Sequence, residues 1–306
     1  MAATRTDFLD EALSSALRQT LEDIEVIVVD DSHPGDAISA IVASHADNRI
    51  RYLRNPKNLG PAQTHARALA AARAPFVAIL NDDDVWEPNL VEELHRALAA
   101  APDASVAFAD HWILRDGVRD PAESDRNSER WGRALLQTGV LRSARDAAVT
   151  GAIPIQLAAV FRRAAVPNEP LPEAVGISWD LYLSYLVTRE GAAAIYVGKR
   201  LASYRTHHSN LSSVGSLAHA LEATAAWEMI RADPRFKHVP SLRHRYGRAQ
   251  WVVATRSLRA GNRAVAARAI ARGLHVGDLR ALLLVPLLIM PHSVVHAVAK
   301  RFGPQG

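Results

Sequence analysis

The stretch that most constrains this chain is Phe76-Val77-Ala78-Ile79-Leu80-Asn81-Asp82-Asp83-Asp84-Val85-Trp86. A short apolar, β-prone run stops at three adjacent acids, and Pro88 then opens a helical pattern. Apolar runs of this length read as strands buried on both faces of a sheet. In open α/β sheets, ligands bind beyond the carboxyl ends of such strands. Three neighbouring carboxylates repel one another. A hard divalent cation with oxygen ligands, Mg2+ or Mn2+, relieves that repulsion and is typically shared with substrate phosphates. Taken alone, such a triplet is more often a solvated acidic loop. Its place after a strand, with a second pair, Asp30-Asp31, in the same context, favours a ligand site.

The rest of the chain alternates. Phe8, Leu9, Ala12, Leu13, Ala16 and Leu17 predict an amphipathic helix over 7–19. The run 24–29 is a strand ending in Asp30-Asp31-Ser32, followed by a helix over 37–44 and a strand over 50–54. Asn55 to Pro61 is a turn by composition, and Pro61 suits the first position of a helix over 61–73. Strand 76–80, a helix over 88–100 and a strand over 104–109 ending in Asp110 follow. Strands alternating with helices over short connections predict a mostly parallel, doubly wound α/β sheet. Residues 115–130 read as a mobile polar loop over the site, 131–139 as a short helix, 178–189 as a helix and 194–197 as a strand. From about Ser216 the pattern is wholly helical, which places a domain boundary near 213.

Charge divides in the same place. Residues 1–226 hold 22 Lys/Arg against 29 Asp/Glu, and residues 227–306 hold 14 against 3. Basic surface of that kind suits anionic lipid or nucleic acid, or is an Arg-rich solvated face. The apolar run 281–290 carries Pro286 and is about half the length that spans a bilayer. An interfacial anchor, or a helix docked on the body, is expected instead. The absence of cysteine excludes disulfides and thiolate chemistry. It suits a reducing cytoplasm. No signal-peptide core stands at 1–10.

Several motifs in fixed order resemble the inverting family-2 glycosyltransferases. They are Phe8-Leu9-Asp10-Glu11-Ala12-Leu13 with Gln19-Thr20, Asp30-Asp31-Ser32, Asn58-x-Gly60-Pro61, Asn81-Asp82-Asp83-Asp84-Val85-Trp86, and Tyr204-Arg205-x-His207. The resemblance covers about residues 5–212. It implies a GT-A fold, with a nucleotide-sugar-binding half over 1–112, an acceptor half over 113–212 and a helical, basic extension over 213–306. It also implies a nucleoside-diphosphate sugar donor and Mg2+ or Mn2+. Asp30 and Asp31 match base- and ribose-contacting acids, a role compatible with helix capping by one of them. Asn58, Gly60, Asp82, Arg205 and His207 are expected around the donor. Asp83, with Asp82 and His207, is expected on the metal; Asn81 stands where a first acid often stands.

Inversion needs a general base that takes the acceptor's hydroxyl proton. The family supplies an acid from a Glu-Asp pair before a Trp/Tyr-Asp-Leu helix start. Here that stretch is Ile177-Ser178-Trp179-Asp180-Leu181, which leaves Asp180 as the candidate, with Glu173 behind it. Asp180 equally suits a structural place in the first turn of its helix. The family's Ala-Arg-Asn appears as Thr64-His65-Ala66. The family also begins with a strand ending in Pro-x-Tyr-Asn, and only Met1 to Thr4 stand before Arg5. Either Met1 is not the native start or this form is impaired.

The expected function is metal-dependent, inverting sugar transfer to a glycan or lipid-linked acceptor, in surface polysaccharide or glycolipid synthesis. The expected location is cytoplasmic, peripheral at the inner membrane face on anionic lipid. The alternative is a silent relative that binds nucleotide or a partner only. No nucleic-acid recognition motif is present, so no nucleic-acid partner is expected.

Overall fold

The computed structural model describes the chain except residues 33, 169–170, 208–215, 292–293, 296–297 and 299–306. Its first part runs β1 (Ala2–Ala3), α1 (Leu9–Leu17), β2 (Val26–Asp30), α2 (Ala37–Ser44), β3 (Ile50–Arg54), α3 (Gly60–Ala71), β4 (Phe76–Ala78), β5 (Val85–Trp86) and α4 (Leu90–Ala99). Next come β6 (Ala104–Arg115), β7 (Val118–Asp120), α5 (Pro121–Arg130), β8 (Gly139–Leu141), α6 (Ala144–Thr150), β9 (Ala159–Arg162), α7 (Trp179–Thr188) and β10 (Ala193–Thr206). Three helices follow: α8 (Leu217–Ala232), α9 (Leu242–Arg259) and α10 (Arg263–His275). The chain divides into two compact units. One holds Met1–Glu173 and Trp179–Asn210; the other holds Ala174–Ser178 and Leu211–Gly306.

The first unit carries two sheets among the described residues. One is β1-β2-β3, all parallel, and the other is mixed, in the order β4-β9-β6-β10-β5 with β7 on β6 and β8 on β10. Only β6 and β10 pair in parallel within the larger sheet, so it is less parallel than expected. The core between sheets and helices is built from regular apolar spacing. Leu90, Leu94 and Leu98 stand one turn apart on α4 and are fully buried, with Leu9 and Leu13 of α1 and Val28 of β2 in the same cluster. Each such side chain contributes about 1.5–3 kcal/mol by burial. Gln19 ties α1 to the start of α4, donating to Glu87 O at 2.8 Å and accepting from Val91 N at 2.9 Å.

Four expectations are corrected. The place beside β2 is not vacant: Ala2 and Ala3 pair in parallel with Val29 and Asp30, and Asp31 N donates to Ala3 O at 2.9 Å. Strand 76–80 is not a strand buried on both faces. It pairs over Phe76–Ala78 only, half-buried at a sheet edge, while Ile79 and Leu80 are buried beyond it. Residues 115–130 are not a loop, because Asp120 caps α5 by accepting from Glu123 N at 2.9 Å and Pro121 opens the helix. Nor does Asp110 end its strand. β6 runs five residues further, and Asp110 is buried against the Arg133 Nε at 2.7 Å. Burial alone would raise Asp110, but that guanidinium together with hydrogen bonds from Ser128 and His111 N outweighs it and holds the carboxyl below its usual range.

The second unit has its own core, in which Val253, Ala254 and Leu258 of α9 meet Ala266 and Ile270 of α10. The run after α10 is not one helix. It makes 3-10 turns over Leu279–Leu284 and Pro286–Leu288, because Pro286 lacks the N–H that a continuous helix needs. Ala281, Leu284 and Leu287 face inward, whereas Leu279, Leu283 and Ile289 are 71%, 60% and 86% exposed. No helix among the described residues is long and apolar enough to cross a membrane.

Candidate donor and metal site

The acid triplet follows β4 and meets the end of β10 and the turn before α1. Each acid has different partners. Asp82 Oδ2 accepts from the backbone N–H groups of Thr4 at 2.8 Å and Arg5 at 3.1 Å, and Asp82 Oδ1 accepts from Arg5 Nη2 at 2.9 Å. Asp83 Oδ2 lies 2.6 Å from Arg5 Nη2 and 3.1 Å from His207 Nε2. Asp84 is fully buried, accepting from Arg205 N at 2.9 Å and Asn81 Nδ2 at 3.1 Å. Burial, and then the neighbouring Asp83 charge, raise the Asp84 pKa well above the ordinary carboxylate value. Asn81, with one fewer charge than an acid, thus serves as a donor to Asp84.

His207 is placed by its surroundings. Phe8 stands 5.3 Å from its ring, and the Arg205 guanidinium lies over Phe8 at 4.3 Å. Arg205 also donates to Asp83 O at 2.8 Å and pairs with Glu11 at 2.5 Å. It therefore joins the acid loop to α1.

The Asp30-Asp31 pair is buried and fully engaged. Asp30 accepts from Ser32 N and Oγ and from Tyr52 Oη at 2.6 Å. Burial would raise its pKa, yet these hydrogen bonds outweigh it and the pKa falls. Asp31 accepts from Asn55 Nδ2 and Leu59 N with one oxygen and from Gly60 N with the other, so it caps the start of α3 from a distant strand. Asn58 Nδ2 returns a bond to Asp31 O at 2.8 Å. Gly60 has φ of +78°, a left-handed conformation that glycine adopts without strain.

Asp180 sits in the first turn of α7, where its Oδ1 accepts from Leu181 N at 2.8 Å. Loss of water around the carboxyl raises its pKa. The residue before it, Trp179, stacks on His65 of α3 at 3.6 Å and 15°. His65 is buried, with Nδ1 2.8 Å from Pro61 O, and burial pulls its pKa down to about 3. It is a neutral packing surface for α7. Glu173 is exposed at the start of the turn before α7. Arg5, Glu11 and His65 escape sequence reasoning. No local pattern connects Arg5 to acids 77 residues away.

The donor set is a carboxylate and an imidazole sharing one approach, at Asp83 Oδ2 and His207 Nε2. That chemistry fits Mn2+ or Mg2+, with the remaining positions left to water and phosphate oxygens. Asp82 fits less well, since both of its oxygens are bonded to Thr4 and Arg5. Among the described residues no cluster of three or more His, Asp or Glu side chains stands ready to hold an ion.

The Glycosyl transferase family 2 profile matches residues 3–154. The succinoglycan biosynthesis protein ExoO of Rhizobium meliloti is 35% identical over 248 residues, covering 77% of this chain and 66% of that protein. This chain belongs to glycosyl transferase family 2. ExoW of the same organism, also a succinoglycan biosynthesis protein, is 35% identical over 126 residues, 38% of this chain and 39% of its own length. The chain thus spans about two thirds of the first of these relatives and less of the second.

Solved structures agree on the GT-A architecture. The mannosyltransferase PcManGT from Pyrobaculum calidifontis, in complex with GDP-Man and Mn2+, superposes with a TM-score of 0.60 at 16% identity over 98% of this chain and 82% of that one. S. aureus TarS 1-349, in complex with UDP-GlcNAc, gives 0.65 at 12% identity over 98% and 89%.

Proposed function

We propose that this family-2 protein transfers a sugar, with inversion, from a nucleoside-diphosphate donor to a glycan or lipid-linked acceptor in surface polysaccharide synthesis. One observation carries the reading: Asp83 and His207, 124 residues apart in sequence, converge to 3.1 Å beside the end of β4. The GDP-Man and UDP-GlcNAc complexes of the fold neighbours, and the succinoglycan role in the names of two relatives, support it. Asp83 and His207 would hold Mn2+ or Mg2+, which when bound neutralises charge on the leaving diphosphate. Asp31, Asn58 and Gly60, with Asp30 O accepting from Asn55 N, shape the donor side by fastening the loop before α3 to the end of β2. Asp180 takes the acceptor's hydroxyl proton; its raised pKa makes it a better base than an ordinary aspartate. Arg205 holds α1 against the acid loop.

The test is release of nucleoside diphosphate from a panel of nucleotide sugars, with Mn2+ and with chelator, with and without glycan acceptors. Metal-dependent turnover of one donor is expected. A second reading, a silent nucleotide binder, is favoured by Ile177 and Ser178 standing where acids are expected. Binding of a donor with no hydrolysis and no transfer decides for it.

The partner surface is an anionic membrane. The exposed Leu279, Leu282, Leu283 and Ile289 lie in the part of the chain that holds 14 basic against 3 acidic residues. Apolar insertion with basic flanks is the chemistry of peripheral lipid binding, at about 1 kcal/mol for each basic residue near the surface.

A further inference from the structure

Arg5 lies across the two acids on which the metal reading depends. Its Nη2 is 2.9 Å from Asp82 Oδ1 and 2.6 Å from Asp83 Oδ2. Its backbone is pinned to the same loop, since the N–H groups of Thr4 and Arg5 both donate to Asp82 Oδ2. Asp82 and Asp83 are only 4% and 6% exposed, so water alone does little to separate their charges. The Arg5 side chain, 26% exposed, supplies the balancing charge while keeping a path to solvent.

The oxygen that Arg5 holds most closely is the one that faces His207. Asp83 Oδ2 and His207 Nε2 are the groups that would hold a divalent ion here. It would then lie against the Arg5 guanidinium, with two cations competing for one carboxylate oxygen. Their repulsion in a poorly hydrated site exceeds that in water several-fold. With the ion bound, Arg5 would leave Asp83. The Cα stays in place, because Asp82 holds the backbone, so only the side chain swings.

We propose that Arg5 is a built-in counter-cation of this site. It neutralises Asp82 and Asp83 while the ion is away, and it moves onto the donor's diphosphate when the ion enters. The inference rests on the metal reading above. Its consequence is coupling. Metal alone must expel Arg5 with no anion to receive it, whereas the donor offers that anion. Ion and diphosphate therefore bind better together than apart, and reciprocally.

The test is a Mn2+ titration of the full chain, read by the paramagnetic resonance of free Mn2+, alone and with UDP or GDP. Wild type and Arg5→Gln are compared. Arg5→Gln is expected to bind Mn2+ alone at least about tenfold more tightly, the effect of one charge-assisted contact no longer competing. Nucleotide should tighten Mn2+ binding more in wild type than in Arg5→Gln. The metal-free midpoint of unfolding should fall in the variant and recover with Mn2+. Arg5→Lys, which keeps the charge but loses the fork, is expected between the two and decides the matter if Arg5→Gln does not fold. Mn2+ binding that is no tighter in the variants than in wild type overturns the proposal. Absence of Mn2+ binding in every protein, with either nucleotide, overturns the metal reading and this inference with it.

Discussion

At the scale of single residues, the three adjacent aspartates have three different tasks set by their partners. Asp82 holds the N-terminal turn, Asp83 faces His207, and Asp84 is a buried support for β10. Asp83→Ala is expected to weaken donor binding in Mn2+ by tenfold or more in calorimetry. The fold should persist, because Arg5 retains Asp82 as partner. Asp180 behaves oppositely in function and stability. Its raised pKa means that the folded state favours the protonated form, so its contribution to stability declines as pH rises through that pKa. Asp180→Asn should therefore melt no lower than wild type at pH 7.5 while losing transfer on the order of a hundredfold. The same substitution should abolish an acidic limb of the rate profile lying above the ordinary carboxylate range. Full transfer by Asp180→Asn would move the base elsewhere, to Glu173 first.

At the scale of elements, the start of α3 is fixed from outside by Asp31 and by a left-handed glycine. A Cβ at Gly60 meets nothing within 4 Å, so Gly60→Ala tests backbone strain alone. The expected loss is about 1–2 kcal/mol, visible as a lowered denaturant midpoint with an unchanged m-value. An unaffected midpoint would show that the turn relaxes. α7, which carries Asp180, is seated by Trp179 against His65. The segment over 279–289 presents its apolar side chains in turns rather than as a helix. The chain should sediment with vesicles containing phosphatidylserine and be released by high salt or carbonate. Release by detergent alone would mean integral insertion.

At the scale of the whole molecule, the pH response should be led by buried imidazoles. Burial brings His65 and His111 down to about 3. A base whose folded pKa is depressed takes its proton more readily when unfolded. Each therefore removes stability as pH falls below about 6.5, by up to roughly 1.4 kcal/mol per pH unit. Thermal midpoints measured from pH 7 to pH 5 should decline, and His65→Phe should flatten the slope. An unchanged slope would place the acid sensitivity elsewhere.

The sequence by itself determined the alternation of helices and strands from α1 to β4 and the place of Asp30 and Asp31 at the end of β2. Period and turn chemistry are local: the one-turn spacing of Leu90, Leu94 and Leu98 reads the same in isolation as in the fold. The local signals Asp120 and Pro121 were there too, but polar composition masked them as a loop. Pairing was not legible. Ala2 and Ala3 lie beside β2 because Val29 N and Asp31 N donate to Met1 O and Ala3 O, and no propensity of Ala2-Ala3 predicts that. The same holds for Arg5 on Asp82 and Asp83, His207 on Asp83, and His65 on Trp179. Only the tertiary structure decided these contacts. They join residues 77 to 124 positions apart, and charge or ring chemistry acts over a few ångströms in space whatever the distance along the chain.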